Sequence, residues 1–231
     1  MSQIMHLITL SFDDGFRRSC IEVARIYEQF GLKACFNVMA TGVMASDKYG
    51  DVAKGDFALW NELAARGHEI MPHGYRHADK SALSFAEGRD LILRCLDVFD
   101  EKLASFERKD AVFNFPYNRT TPDLEQWLPT VVRAFRGGFA EAGLNPLPSL
   151  QMKAIRTTGF GPENCEAHLD DCIEKLMARP DGWLLYNTHG LDEEGWGPIG
   201  AKYLARLLEK LVKRDDVRLI PAAVALNAAN H

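Results

Sequence analysis

Short runs of apolar, β-favouring residues recur along this chain, and longer stretches separate them in which apolar residues return every three or four positions. A fully buried strand needs the first pattern and a core-facing helix the second, so their alternation restricts the chain to a parallel α/β sheet or barrel covered by helices. Strands are expected over residues 7–11, 34–38, 68–71, 111–115, about 131–135, 152–156, 183–188 and 217–220. The clearest helical stripe is Phe85, Ile92, Leu96, Phe99, Leu103 and Phe106. The first helix should bury Val23, Ile26, Tyr27 and Phe30 and stop at Gly31. The last long one should open at Pro198 and bury Leu204, Leu207, Leu208 and Leu211. Breaks rich in Pro and Gly at 137–148 and 158–162 read as loops inside one fold, because strand runs resume on both sides, and 41–56 as an exposed loop. With no repeat or linker in 231 residues, one domain over residues 1–231 is expected.

Composition narrows the function. No run approaches the roughly 18 apolar residues of a membrane span, and a net charge of -5 without a stripe of interleaved basic and aromatic residues argues against nucleic acid as a partner. Residues 1–6 carry no basic and apolar leader, so the chain is expected in the cytoplasm. Five cysteines, odd in number and without a C-x-x-C pair, are expected to be reduced packing residues.

Chemistry gathers where strands end. The run LITLSFDDG closes the first strand on Asp13, Asp14 and Gly15, although a buried carboxylate is costly unless it is paired or binds a cation. The strand at 68–71 runs into His73 and His77, a His-x-x-x-His pair that suits zinc and related metals. Asn114-Phe115-Pro116-Tyr117 closes the strand at 111–115, and His189-Gly190 the one at 183–188. Each has an ordinary explanation, with the aspartates as helix caps, Tyr117 as a core ring and His189 as a satisfied loop histidine. In parallel α/β folds, however, the carboxyl ends of the strands form the active face, and all four features stand there.

The segments SFDDG, HGYRH, FPY and NTHG, in this order and spacing, resemble the motifs of the polysaccharide deacetylases (NodB homology, carbohydrate esterase family 4), over residues 7–220. The resemblance implies an α/β fold, a single distorted (β/α) barrel of about seven to eight mostly parallel strands. It also implies a divalent metal, usually zinc with cobalt or nickel as alternatives, and hydrolysis of N- or O-acetyl groups on a small-molecule or oligosaccharide substrate. By position it makes Asp13 the general base, Asp14, His73 and His77 the metal ligands, Tyr117 the donor of a backbone N–H to the oxyanion, and His189 the general acid. Trp196, in GLDEEGWGPIG, is either a platform for a sugar ring or a lid over the core; Trp60, Trp127 and Trp183 are expected in the core.

The sequence departs from the family pattern in three places. The third motif usually opens with an Arg that pairs with the base, and Asn114 stands there. Arg136 in AFRGG and Arg156 in AIRTTG are the candidates to supply that guanidinium from another strand, the alternative being that both are surface arginines. Gly74 stands where the family has Ser or Thr, which removes a hydroxyl that braces the loop, and the fourth motif has no match. Two rival readings stay open: a C–N hydrolase acting on a cyclic ureide or imide, and a catalytically silent sugar- or metal-binding relative.

Overall fold

In a computed structural model that describes residues 5–44 and 49–228, β1 (His6–Asp13) is buried at every residue but Leu7. It pairs in parallel with three strands, which explains why its sequence is continuously apolar or small rather than alternating. These are β8 (Gly182–Thr188) along one edge, and on the other β9 (Val217–Leu219) beside its first residues and β2 (Cys35–Val38) beside its last. β3 (Glu69–Pro72) extends this sheet beyond β2. A second sheet holds β4 (Val112–Asn114), β5 (Ala134–Phe139) and β7 (Ala154–Thr157), again parallel. A parallel bridge between Thr158 and Tyr186 joins it to β8.

Seven parallel strands thus follow one another in a ring, in the order β3-β2-β1-β8-β7-β5-β4. The ring is open between β3 and β4, where side chains replace a backbone ladder. The Val112 amide donates to the Met71 sulfur at 3.4 Å and Asn114 Nδ2 to the Pro72 carbonyl at 3.5 Å. The α/β class and the mostly parallel strand set expected from the sequence are both present.

Helices cover the outside. α1 (Arg17–Gln29) buries Val23, Ile26 and Tyr27, and Gly31 follows it with φ +67°. α2 (Phe57–Ala65) is capped by Asp56, and α3 (Phe85–Lys102) by a reciprocal Ser84–Glu87 box. Within α3, burying Ile92, Leu96 and Phe99 contributes roughly 1.5–3 kcal/mol each. Phe85 instead lies exposed at the helix start, edge-on to Trp127. The remaining helices are α4 (Pro122–Trp127), α5 (Glu166–Met177), α6 (Ala201–Leu211) and α7 (Ala222–Ala228).

Three boundaries differ from expectation. β5 starts later than residue 131, because a turn at Leu128–Thr130 delays it until Ala134 pairs with Val112. α6 begins at Ala201, not Pro198, since a bridge from Ile199 to Leu191 keeps that segment extended. β6 (Leu144–Asn145), a two-residue antiparallel strand on β8, was not expected; it lies between Gly143 and Pro146, in a stretch that reads as loop. All five cysteines are buried and free, as expected. Trp60 and Trp183 are core residues, and Trp127 is partly buried. Part of the loop expected at 41–56 lies outside the described residues.

Candidate active site and metal centre

The carboxyl ends of β1, β3, β4, β5 and β8 open into one cavity of about 630 Å³. Immediately after β1, Asp14 (φ +71°) and Gly15 (φ +73°) turn the chain through the left-handed region. A Cβ on Gly15 would meet the Trp60 ring at 3.0 Å, so packing as well as conformation favours glycine there. The turn leaves Asp14 buried with its Oδ1 3.4 Å from Nε2 of His73 and 3.4 Å from Nε2 of His77.

That Oδ1 has no hydrogen-bond partner among the described residues, and 3.4 Å is longer than an ordinary N–H···O bond. Two donors each about 2.0–2.1 Å from a tetrahedral zinc stand about 3.4 Å apart, so the set fits a divalent cation. All three ligand atoms lie within 4.8 Å of one another. His73 Nδ1 is 2.9 Å from the Asn114 carbonyl. A carbonyl only accepts, so Nδ1 carries the proton and Nε2 keeps its lone pair toward Asp14. The His77 ring packs against Tyr117, centroids 4.3 Å apart. Burial works to raise the Asp14 carboxyl, but His73, His189 and His77, in their protonated forms, outweigh it and hold it below its ordinary range.

Between these ligands, Gly74 has φ +101°, and a Cβ there would approach the Arg76 carbonyl to 3.2 Å. The loop therefore has a shape that Ser or Thr would strain. Beneath it the Lys80 ammonium, fully buried, donates to the Ala78 carbonyl at 3.1 Å. Burial pushes that ammonium down to about 8.

Asp13 points to the same cavity with different partners. Arg136 grips it with two bonds, Nη1 to Oδ1 at 2.8 Å and Nη2 to Oδ2 at 2.6 Å, and both residues are buried. Arg136 stands opposite Asn114 in the β4–β5 register. The guanidinium absent from position 114 thus arrives one strand over, at the same height. Asn37, the register partner of Asp13 on β2, adds a bond to Oδ1 at 2.8 Å, and Ser11 another at 3.1 Å. Burial alone would raise the Asp13 carboxyl, but Arg136 above all, with His73 and His189, holds it far below the usual carboxylate range. Arg156 does not take part. It turns to Glu125 and to the Gly137 carbonyl, which is what its place on the outer side of β7 allows.

On the far wall, Tyr117 follows Pro116 with φ +58° and the residue is 42% exposed, so it is not a core residue. His189 faces the cavity edge-on to Trp196, centroids 5.7 Å apart, and its buried Nδ1 has no partner among the described residues. Trp196 is 38% exposed on the cavity rim rather than a lid over the core, and Gly161 lies against it where a Cβ would clash at 2.5 Å.

Asp13, Asp14, His73, His77, Tyr117, His189, Trp196 and Arg136, all candidates from the sequence, line or adjoin this cavity. Ser11, Asn37 and Asn187 are not among those candidates, although each is a polar side chain inside a buried, largely apolar strand; Asn118, in a turn, carries no such signal.

The sequence profile of the polysaccharide deacetylase family matches residues 3–129. No curated protein matches the chain. Solved structures that share its fold include an acetyl xylan esterase of family 4 from Clostridium thermocellum, in complex with cobalt. It is 18% identical, with a TM-score of 0.64, over 96% of this chain and 91% of that one. Another is the Puue allantoinase, 12% identical with a TM-score of 0.67, over 96% and 89% of the two chains. A third is the peptidoglycan deacetylase PdaC of Bacillus subtilis, 14% identical with a TM-score of 0.61, over 100% and 94%.

Proposed function

Because the chain belongs to the polysaccharide deacetylase family, we propose that it is a metal-dependent hydrolase that removes an acetyl group from an acetylated carbohydrate. The observation that carries the reading is the convergence in one cavity of a three-donor cluster, Asp14, His73 and His77, with a separate carboxylate, Asp13, held by Arg136. In it, Asp14, His73 and His77 hold a divalent ion, zinc by the chemistry of one carboxylate and two imidazoles, with cobalt or nickel able to replace it. When bound, such an ion supplies Lewis acidity to a carbonyl oxygen and makes a neighbouring water more acidic.

The chain's own groups then divide the work. Asp13 is the base. Its Oδ1 accepts from Ser11, Asn37 and Arg136 while Oδ2 accepts from Arg136 alone, so Oδ2 keeps a lone pair for the proton of the attacking water. Arg136 fixes the direction of that lone pair. The Tyr117 backbone N–H donates to the oxygen that gains charge as the carbonyl becomes tetrahedral. His189 protonates the departing nitrogen or oxygen, a step an amide needs because its nitrogen leaves poorly as an anion. Trp196, on the rim beside His189, gives the sugar ring an aromatic face.

The test is acetate release by purified, metal-analysed protein from a panel of acetylated mono- and oligosaccharides. Acetate is the expected product. Ammonia or ring opening on a cyclic ureide or imide would replace this reading with the amidase, and tight binding without turnover with a silent relative.

A further inference from the structure

The floor of the cavity holds two amides with no part in the chemistry above. Asn118 follows Tyr117 directly and is also left-handed, φ +53° after φ +58°. Asn tolerates that region better than most residues, yet two in succession store strain of the kind found at ligand sites. Its side chain is 7% exposed. Nδ2 donates to Asn187 Oδ1 at 3.2 Å, and the Thr157 hydroxyl stands 3.2 Å from the same oxygen and 3.1 Å from the Leu185 carbonyl. Asn118 Oδ1 is left buried with no partner among the described residues. A buried acceptor without a donor is destabilising, and a ligand donor reaching it removes the penalty.

The rest of the cavity sharpens the point. Its buried lining residues, Asp13, Asp14, His73, Asn118 and Asn187, are all polar, while the carbon-rich Phe139 and Trp196 stand exposed at the rim. Gly159 keeps the Asn187 amide open, since a Cβ there would lie 3.3 Å from both its nitrogen and its oxygen. The depth of the site thus offers hydrogen bonds and no apolar seat. Asn118 adjoins Tyr117, and Asn187 precedes His189 by two residues, so the pair lies between the two groups assigned to the oxyanion and to the leaving atom.

Building on the deacetylase reading, we propose that Asn118, supported by Asn187, is a specificity-determining subsite that accepts a hydrogen bond from an N–H or O–H of the substrate close to the bond being cleaved. That donor has two sources: a ring hydroxyl beside the acylamino group, or an N–H on the acyl side, as in a carbamoyl group. The methyl of an acetyl group and the amino of a carbamoyl group have nearly the same shape, so comparing them isolates the hydrogen bond.

Dissociation constants of the metal-free protein, measured by ligand-observed NMR, test this with methyl glycosides of N-acetylglucosamine, its 3-deoxy analogue and N-carbamoylglucosamine. Butylurea and N-butylacetamide form a parallel pair without a sugar. Asn118→Gly keeps the left-handed backbone and removes the acceptor; Asn118→Asp keeps an acceptor. If the donor is on the acyl side, the carbamoyl probes bind at least 10-fold tighter than the acetyl probes. If it is a ring hydroxyl, the 3-deoxy sugar binds at least 10-fold more weakly than its parent. In either case Asn118→Gly abolishes the preference and Asn118→Asp retains it. Failure of every sugar to bind, with an Asn118-dependent preference kept on the butyl pair, would strike the carbohydrate reading and leave the subsite. Preferences within twofold on both sets, or unchanged in Asn118→Gly, overturn the subsite.

Discussion

Replacing Arg136 by Met strands the Asp13 carboxylate in the interior. Asp13 is 2% exposed and Arg136 0%, so solvent cannot take over the three bonds that the guanidinium makes, two to Asp13 and one to Ser11 at 2.6 Å. Removing one partner of a buried ion pair costs about 3–5 kcal/mol. Asn37 and Ser11 still donate to Asp13, which puts the expected loss near the lower end, about 3 kcal/mol. For a chain of this length that is a fall in Tm of about 6–12 °C. Asp13→Asn alone leaves the guanidinium unpaired at a similar cost, whereas Asp13→Asn with Arg136→Met removes both charges and should lose only about 1 kcal/mol. Urea denaturation of the metal-free protein closes the cycle: two single losses summing to about 6 kcal/mol against about 1 for the double variant. On a verified substrate, Arg136→Ala should also lower turnover by about 10- to 1,000-fold. Arg156→Ala is the control, since its half-buried pair with Glu125 lies away from Asp13 and is worth about 1 kcal/mol. A loss below about 1 kcal/mol in Arg136→Met, or a double variant as unstable as the sum of the singles, would refute the coupling of base and guanidinium.

His73→Ala or His77→Ala should each remove one of three ligands and abolish retention of zinc, cobalt and nickel through dialysis; full occupancy in both variants would sink the metal centre. Asp13→Asn should keep the metal and lower turnover about 100-fold or more, while Asp14→Asn loses metal and activity together, so equal metal loss in the two means their roles are reversed. At the opposite end of the ring, burial pushes Glu69 above its ordinary value of 4.5, against the Cys35 thiol and the Ala223 and Val224 amides that donate to it. Because its folded value is raised, its contribution to stability is complete below 4.5 and is lost as pH rises through the folded value. Thermal melts should therefore show wild type losing ground to Glu69→Gln as pH rises from 4.5 toward neutrality; a difference constant over that window contradicts the shift.

Most of the ring was legible because its strands are continuous apolar runs separated by amphipathic helices, and local periodicity records both. β6 was not, since two residues have no periodicity and only pairing with β8 makes them a strand. The metal ligands could be read because motif and strand end coincide. Arg136 was readable as a candidate because β5 follows β4 in sequence and here also lies beside it. Choosing it over Arg156 required knowing which way each side chain leaves its strand, and that depends on register. The Asn118–Asn187 pair joins residues 69 apart through a loop conformation that no local pattern announces.

The central position of β1 also dictates when the site can exist. Thr9 on this strand bonds to the Ile220 carbonyl, 211 residues later in sequence, and the whole length of β1 leans on β8. Residues 3–129, the span that matches the family profile, include Asp13, Asp14, His73 and His77 but stop short of Arg136 and His189. On a ribosome, β2 is available early to the end of the strand that carries the two carboxylates, but its other edge waits for β8, after most of the rest of the fold has been made. Contacts so distant in sequence make folding slow, because the entropy of closing the loop is lost before any pairing compensates. A nascent chain halted before β8 would expose one edge of its longest strand, so this protein's dependence on chaperones should fall only once residues 182–219 have left the exit tunnel.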